Sequence, residues 1–412
     1  MTPKLISDQQ PLARLLFVTK ETHPSFRADV RVLFGKYLPR MGIASDLFTQ
    51  AEYGQASTPW AAGALLLAPS SAKSWLRPLQ LLRHDLRLFT AARSGDYAAV
   101  QVRDRIFAGA LGLSAARRAG LPFFYWASYP KPESRKEAAD HLQWTCRPLH
   151  FFVHQLRARL SDALLYRWVL RRADHVFVQS EAMLAAFAAR GLPTERMSAV
   201  PMGVDLEEAQ AQEPAPPEVL ARVQGRRVLV YAGALDRVRQ PRLMLEAMVH
   251  VKAAMPDSLL LMVGGALDPA DLQQLQQSAE DLALQPWVQF TGWVSPAQAL
   301  ACMRLGELGL STIPRGPLYD VSSPTKLAEY FALGLPVVAN DLPDQALVMR
   351  ESEAGVCVPF EPRALAEAAL ALLNSPEQAR QQGLAGQRYI AAQRSYAALA
   401  ERLAQTYRRL LA

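Results

Sequence analysis

The sequence predicts an α/β protein made of two doubly wound parallel-sheet domains. Three observations carry that expectation. Short apolar runs alternate with amphipathic stretches of helical period along most of the chain, the pattern of repeated βαβ units. The chain has 412 residues, 50% of them hydrophobic, which is too long for one ordinary core and too apolar for a disordered chain. The alternation stops at the polar, proline-rich segment 207–219, EEAQAQEPAPPEV, and then restarts, so that segment reads as a linker.

In the first half, the apolar run 15–19 suits a first buried strand. Val30, Leu33, Phe34, Tyr37 and Leu38 are spaced for an amphipathic helix over 29–40, which Gly42 ends. Segments 44–49, 97–102, 122–126 and 175–179 read as strands, with a helix over 106–119. A second helix, 180–190, has Ser180 as its cap. Residues 197–200 close the half. In the second half, strands are expected at 227–231, 258–263, 287–290, 307–311, 335–339 and 355–358. Helices fall at 241–254, 272–282, 296–303 and 362–373, with a helical finish from 375. The expected domains are 1–206 and 207–390, with 391–412 a C-terminal helix packing back on the first. In open α/β sheets ligands sit beyond the carboxyl ends of the strands. The loops after Tyr231, Val263, Phe290 and Ser311 are therefore the expected ligand loops.

Composition narrows the function. Cys146, Cys302 and Cys357 form no CxxC pair, which argues against disulfides and cysteine-bound zinc and for a reducing compartment. His150 and His154 have the HxxxH spacing of two ligands on one helix face, but Phe151 stands where a metalloprotease needs its glutamate. No metal is expected. The apolar run at 15–18 is too short for a signal peptide, and no stretch approaches the ~20 apolar residues of a membrane span. The expected location is cytoplasmic. Charge is uneven: residues 1–212 hold 27 Lys and Arg against 18 Asp and Glu, and the rest 18 against 20. A pI near 9.4 alone would admit nucleic acid, yet no zinc-finger, RRM or KH signature is present, and no nucleic-acid partner is expected. In 74–89 and 144–172 arginines alternate with Trp75, Phe89, Trp144, Phe151, Phe152 and Trp168. Such helices suit an anionic membrane surface, or equally ordinary core helices whose arginines snorkel outward.

The segment 322–340, SSPTKLAEYFALGLPVVAN, is the most informative. Ser322 and Ser323 are good helix caps, and Pro324 suits a first turn. Lys326 and Glu329 follow on one face, and Gly334 is a natural stop. A helix N-terminus attracts phosphate. Lys326 would add a cation there, and Glu329 could accept from sugar hydroxyls. After the strand at 227–231 comes Gly233-Ala-Leu-Asp-Arg-Val-Arg239, where Gly233 admits a ligand to the backbone and Arg237 and Arg239 could clamp a diphosphate. Val263-Gly264-Gly265 and Phe290-Thr-Gly-Trp-Val294 end the next two strands, and Trp293 could stack on a base or cover the core. Pro201-Met-Gly-Val-Asp205 closes the first half.

These segments together resemble the GT-B glycosyltransferases of the family 4 type, most strongly from about 173 to 341. The resemblance implies two Rossmann-like domains facing a central cleft. It implies retaining, metal-independent transfer from a nucleotide diphosphate sugar, a substrate rather than a cofactor. In its terms Arg239, Lys326 and Glu329 are the catalytic set. Gly233, Arg237, Gly264, Trp293, Val294, Ser323, Pro324, Thr325 and Leu327 bind the donor. Glu329 matches the second glutamate of a pair whose first would fall at Val321, with Asp320 one place out of register. Arg239 replaces a usual lysine, and Ala234 stands where many members have arginine. The first half departs further. The loop after its first strand, Thr19 to Arg27, has no glycine, and 125–129 lacks the family's histidine. His23, Arg27, Arg103 and Asp104 are the acceptor-side candidates. The acceptor class implied is a glycan or lipid-linked glycan of surface polysaccharide or glycolipid assembly, with peripheral attachment to the inner face of a membrane. The other readings are a GT-B type nucleotide-sugar epimerase, for which no acid–base carboxylate set is evident, and a non-catalytic nucleotide-sugar-binding protein.

Overall fold

A computed structural model describes residues 13–51, 58–68, 77–140, 148–210 and 213–412. Cys146, Trp75 and Trp144 lie outside the described residues. The chain divides into two compact units, Met1–Pro201 with Leu399–Ala412, and Met202–Ala398. Each contains one parallel sheet.

The first sheet comprises β1 (Ala13–His23), β2 (Ile43–Ala51), β3 (Leu65–Ala68), β4 (Ala99–Arg103), β5 (Phe123–Ala127), β6 (His175–Val178) and β7 (Met197–Ala199). Their order is β3-β2-β1-β4-β5-β6-β7. The sequence order turns round between β1 and β4, the switch point of a doubly wound sheet. β1 runs past the predicted 19, with a register shift against β2 between Val18 and Thr22. The helix expected over 29–40 is a wide-turn π-helix over Asp29–Tyr37 and then one α turn. Its last bond runs from Leu38 N–H to Leu33 O, five residues back. Phe34 stacks on Phe17 of β1, with ring centroids 4.2 Å apart. The C-terminal helix Tyr396–Leu411 ends in this unit, where the buried Tyr407 hydroxyl donates to Gln101 of β4.

The second sheet comprises β8 (Arg227–Ala232), β9 (Ser258–Val263), β10 (Val288–Phe290), β11 (Leu308–Ser311), β12 (Val337–Asn340) and β13 (Gly355–Val358), in the order β10-β9-β8-β11-β12-β13. Every neighbouring pair is parallel. Leu229, Val230, Leu260, Leu261, Val337 and Val338 are buried, because helices cover both faces of such a sheet. The switch point lies between β8 and β11, and one side chain spans it. The Tyr330 hydroxyl accepts from Ala232 N–H (2.7 Å) and donates to Leu310 O (3.2 Å).

Val204 bridges to Ser395, and Tyr396 N–H donates to Val204 O. These pairings bring segments 202–206 and 391–398 into the second unit.

Candidate functional site

The switch point of the second sheet gathers most of the donor-binding candidates. Gly233 follows β8 with φ +146°, and a Cβ there would stand 3.3 Å from the Lys326 Nζ. Gly264 follows β9, and a Cβ on it would come within 2.3 Å of Gly233 O. These two glycines let two loops and a lysine share one small volume. Their own N–H groups are spoken for: Gly233 donates to Val263 O and Gly264 to Thr291 Oγ1. They supply room rather than donors. Gly265 lets the Trp293 indole lie against its backbone, since a Cβ there would be 2.7 Å from Nε1. Trp293 is otherwise 65% exposed, and Val294 packs on the core.

The helix Thr325–Ala332 begins beside this volume with Pro324 as its cap, and no side chain caps it. The first-turn N–H groups of such a helix have no acceptor inside it. The expected cap, Ser323, faces inward instead. It is buried, its hydroxyl accepts from Met202 N–H (3.0 Å) and donates to Asp344 (2.8 Å), and Arg394 pairs with the same aspartate. Ser323 is thereby tied into an internal cluster. Leu327 is a core side chain, so only its backbone can reach a ligand. Pro324 and Thr325 are half-buried.

Lys326 is half-buried, and among the described residues it makes no ion pair within 4 Å. Its Nζ sits 3.9 Å from the centroid of the Tyr231 ring. Burial, and then the charge of Arg239, push its ammonium down to about 7, against the opposite pull of Glu329. Burial raises the Glu329 carboxyl, and Lys326 partly offsets this. Arg239 lies over the Tyr319 ring at 5.3 Å, likewise without an ion-pair partner among the described residues. Arg237 is exposed on the same short 3₁₀ turn, Arg237–Arg239, and its backbone N–H donates to Asp271. Lys326 and Arg239, with no ion-pair partner among the described residues and each within reach of the other's charge, thus meet at a helix N-terminus, which is the electrostatic form of an anion site. Tyr231 and Tyr319 escaped sequence reasoning, because nothing in their spacing marks them as partners of Lys326 and Arg239.

Val321 occupies the place of the first motif glutamate, and Asp320 does not stand in for it. Arg315 holds Asp320 at 2.7 Å and reaches Asp341 at 3.0 Å.

The first unit presents a different picture. Arg103 is fully buried at the switch point between β1 and β4. It pairs with Asp29 (2.6 Å), Glu21 (3.2 Å) and Asp104 (3.4 Å), and donates to Ser128 Oγ. Burial alone would raise the Asp29 carboxyl, but Arg103 and Arg27 hold it below its ordinary value. Asp104 has a left-handed φ of +53°, and its carboxylate caps the loop at Ser128 N–H. Arg103 and Asp104 are thus engaged with the protein itself. His23 is buried, bonded through Nε2 to Thr58 O (2.8 Å). Arg27 is part-exposed, 3.5 Å from Asp29. Among the described residues no group of three or more His, Cys, Asp or Glu is placed to hold a metal ion, and no helix is long and apolar enough to cross a membrane.

Two family models match the chain, one for each sheet. "Glycosyl transferase 4-like domain" matches residues 33–203, and "Glycosyl transferases group 1" matches residues 226–375. The chain belongs to the GT-B glycosyltransferases of the group 1, family 4-like type. Phosphatidyl-myo-inositol mannosyltransferase of Mycobacterium tuberculosis is 34% identical over 149 residues. The Mycobacterium leprae protein of the same name is 29% identical over 178. The matches span 36% and 44% of those relatives and 36% and 43% of this chain. Anabaena Alr3699/HepE in complex with UDP superposes with a TM-score of 0.67 at 17% identity, covering 96% of this chain and 100% of its own. Sucrose-phosphate synthase from Thermosynechococcus elongatus gives 0.68 at 18%, covering 97% and 99%. At those identities the likeness is one of fold. This GT-B chain therefore has its doubly wound sheets in common with those structures, whereas its chemistry rests on its own residues.

Proposed function

We propose that the protein transfers a sugar from a nucleotide diphosphate sugar to a glycan or lipid-linked acceptor, with retention of anomeric configuration. The observation that carries this is the meeting of Lys326 and Arg239, with no ion-pair partner among the described residues, at the switch point beside Gly233. A diphosphate is the ligand that such cations and a helix N-terminus would bind together. When the sugar–phosphate bond breaks, charge develops on the leaving diphosphate. Fixed cations placed there stabilise that state without reorganisation. Lys326, Arg239, Arg237 and the 324–327 backbone take that role, and Glu329 accepts from ribose hydroxyls. No protein nucleophile and no metal is assigned. The name of the mycobacterial relatives favours a lipid-linked acceptor, and HepE was captured with UDP.

A membrane surface is the accompanying partner. On the helical segment 148–170, Phe152, Val153, Leu156 and Leu160 are 53–60% exposed and Trp168 48%. Arg157, Arg159 and Arg167 are exposed on the same segment. Apolar and cationic side chains mixed on one exposed face suit an anionic bilayer. Cosedimentation with phosphatidylglycerol vesicles should fall at least fivefold in Leu156→Glu/Leu160→Glu, and unchanged binding removes this partner.

A thermal-shift screen of UDP, GDP, ADP and their sugars tests the donor reading. One nucleotide should raise Tm in wild type by mass action and fail to do so in Glu329→Ala. No shift with any of them would sink the transferase reading. A shift without turnover on any acceptor would favour the non-catalytic binding protein, the reading that Val321 and the Arg315-bound Asp320 support.

A further inference from the structure

Both cations of the candidate donor site rest on tyrosine rings rather than on carboxylates. Lys326 lies 3.9 Å from the Tyr231 centroid and Arg239 5.3 Å from that of Tyr319. The rings are themselves held. Tyr231 is buried in β8, and its hydroxyl donates to Ala234 O (3.2 Å). The Tyr319 hydroxyl reaches Val238 O at 3.4 Å, joining the loop after β11 to the loop after β8. Gly233 leaves the Lys326 ammonium the space between ring and loop.

The choice of partner matters chemically. A carboxylate would fix a cation in place but cancel its charge, and an incoming diphosphate would have to displace it. An aromatic face attracts a cation through its quadrupole and leaves the unit charge intact. We propose that Tyr231 and Tyr319 are positioning residues that seat Arg239 and the protonated form of Lys326 without a carboxylate's cancelling charge, leaving both free to meet a diphosphate. This rests on the nucleotide-sugar reading above. The other charged groups facing this pair are Glu329 on the lysine's own helix, which draws the ammonium toward its charged form, and Asp236 on the loop after β8, whose influence is felt at Tyr231. Neither is within ion-pair distance of Lys326 among the described residues, whereas the Tyr231 ring centroid is 3.9 Å from its Nζ.

The test separates the ring's electrostatics from its packing. Tyr231 is replaced by phenylalanine and by 3,4,5-trifluorophenylalanine, which keeps a ring of similar shape and removes its negative face. Tyr319→Phe and Tyr319→Leu probe the more exposed partner. Dissociation constants are measured by calorimetry for the nucleotide sugar the screen selects and for inorganic pyrophosphate. The phenylalanine variants should bind both within about twofold of wild type, while trifluorophenylalanine at 231 and Tyr319→Leu should weaken both by roughly three- to tenfold, as a lost cation–π contact implies. Equal affinity in the phenylalanine and trifluorophenylalanine proteins would overturn the proposal, since a purely packing ring would not notice fluorine. Pyrophosphate binding that weakens on fluorination, with no nucleotide sugar bound, would uphold the tyrosines and reject the donor. Nucleotide-sugar binding that ignores fluorination would do the reverse. No binding of either ligand by wild type would overturn both.

Discussion

Apart from the extra edge strand β7, the two sheets have the same strand order, and they have opposite electrostatics at the same place. At the first switch point a buried arginine, Arg103, is matched by Asp29, Glu21 and Asp104, all within 3.4 Å. At the second, Lys326 and Arg239 rest on tyrosine rings and have no carboxylate within ion-pair distance among the described residues. A doubly wound sheet opens a crevice at its switch point whatever the sequence. What differs is whether the protein fills that crevice with its own charges. A self-satisfied cluster serves architecture, whereas an unsatisfied pair of cations awaits an anion.

Removing the cation on each side breaks the comparison most directly. Arg103→Met should be the costlier change to the fold. It strands Asp29 and Asp104 as buried carboxylates without their partner, a loss of about 3–5 kcal/mol for a buried pair. Urea melts should show a lower midpoint, and the comparison fails if stability is unchanged. Lys326→Met should do the opposite. It relieves a half-buried ammonium with no ion-pair partner among the described residues, so the free protein should melt no lower than wild type. Turnover should fall by about 10²–10³, the usual loss when one stabilising group is removed from developing charge. Activity within threefold of wild type would take Lys326 out of the mechanism.

This contrast also marks how far the sequence could be read. The alternation of strands and helices was legible because buried parallel strands are short apolar runs bounded by turn residues. The glycines after β8 and β9 were legible as places of close approach. That Lys326 stands over Gly233 and Tyr231 was not, because the three meet only when β11 and its following helix are laid beside β8. Arg103 illustrates the same limit from the other side. A polar pair just past a strand end looks like a site in one dimension. Only the packing of the π-helix at Asp29 and of the β5 loop at Ser128 shows that its donors are already used. Ser323 looked like a cap, but the helix starts after Pro324, which turns Ser323 toward Asp344 and Arg394 instead.

The smallest effect is the most specific, a proton linked to the second switch point alone. Lys326 titrates near 7 in the folded protein, where burial and Arg239 disfavour its charged form, against 10.5 ordinarily. Between those values the unfolded chain binds more protons than the folded one, so this group makes stability rise with pH across the window. Below 7 both states are protonated and the penalty is complete; above 10.5 both are neutral and it vanishes. A bound diphosphate reverses the local balance, because two phosphates beside the ammonium favour its charged form. Binding above pH 7 must then take up a proton, and affinity should fall with rising pH by no more than tenfold per unit, the limit for one linked proton. A nucleotide sugar is the right probe, since its diphosphate keeps a constant charge near neutrality. Calorimetry at pH 8 in buffers of different ionisation heats should show uptake approaching one proton in wild type and none in Lys326→Met. Arg103→Met, if folded, should retain the uptake, because its cluster belongs to the other sheet. Uptake that survives in Lys326→Met would assign the proton elsewhere and remove the electrostatic distinction between the two switch points.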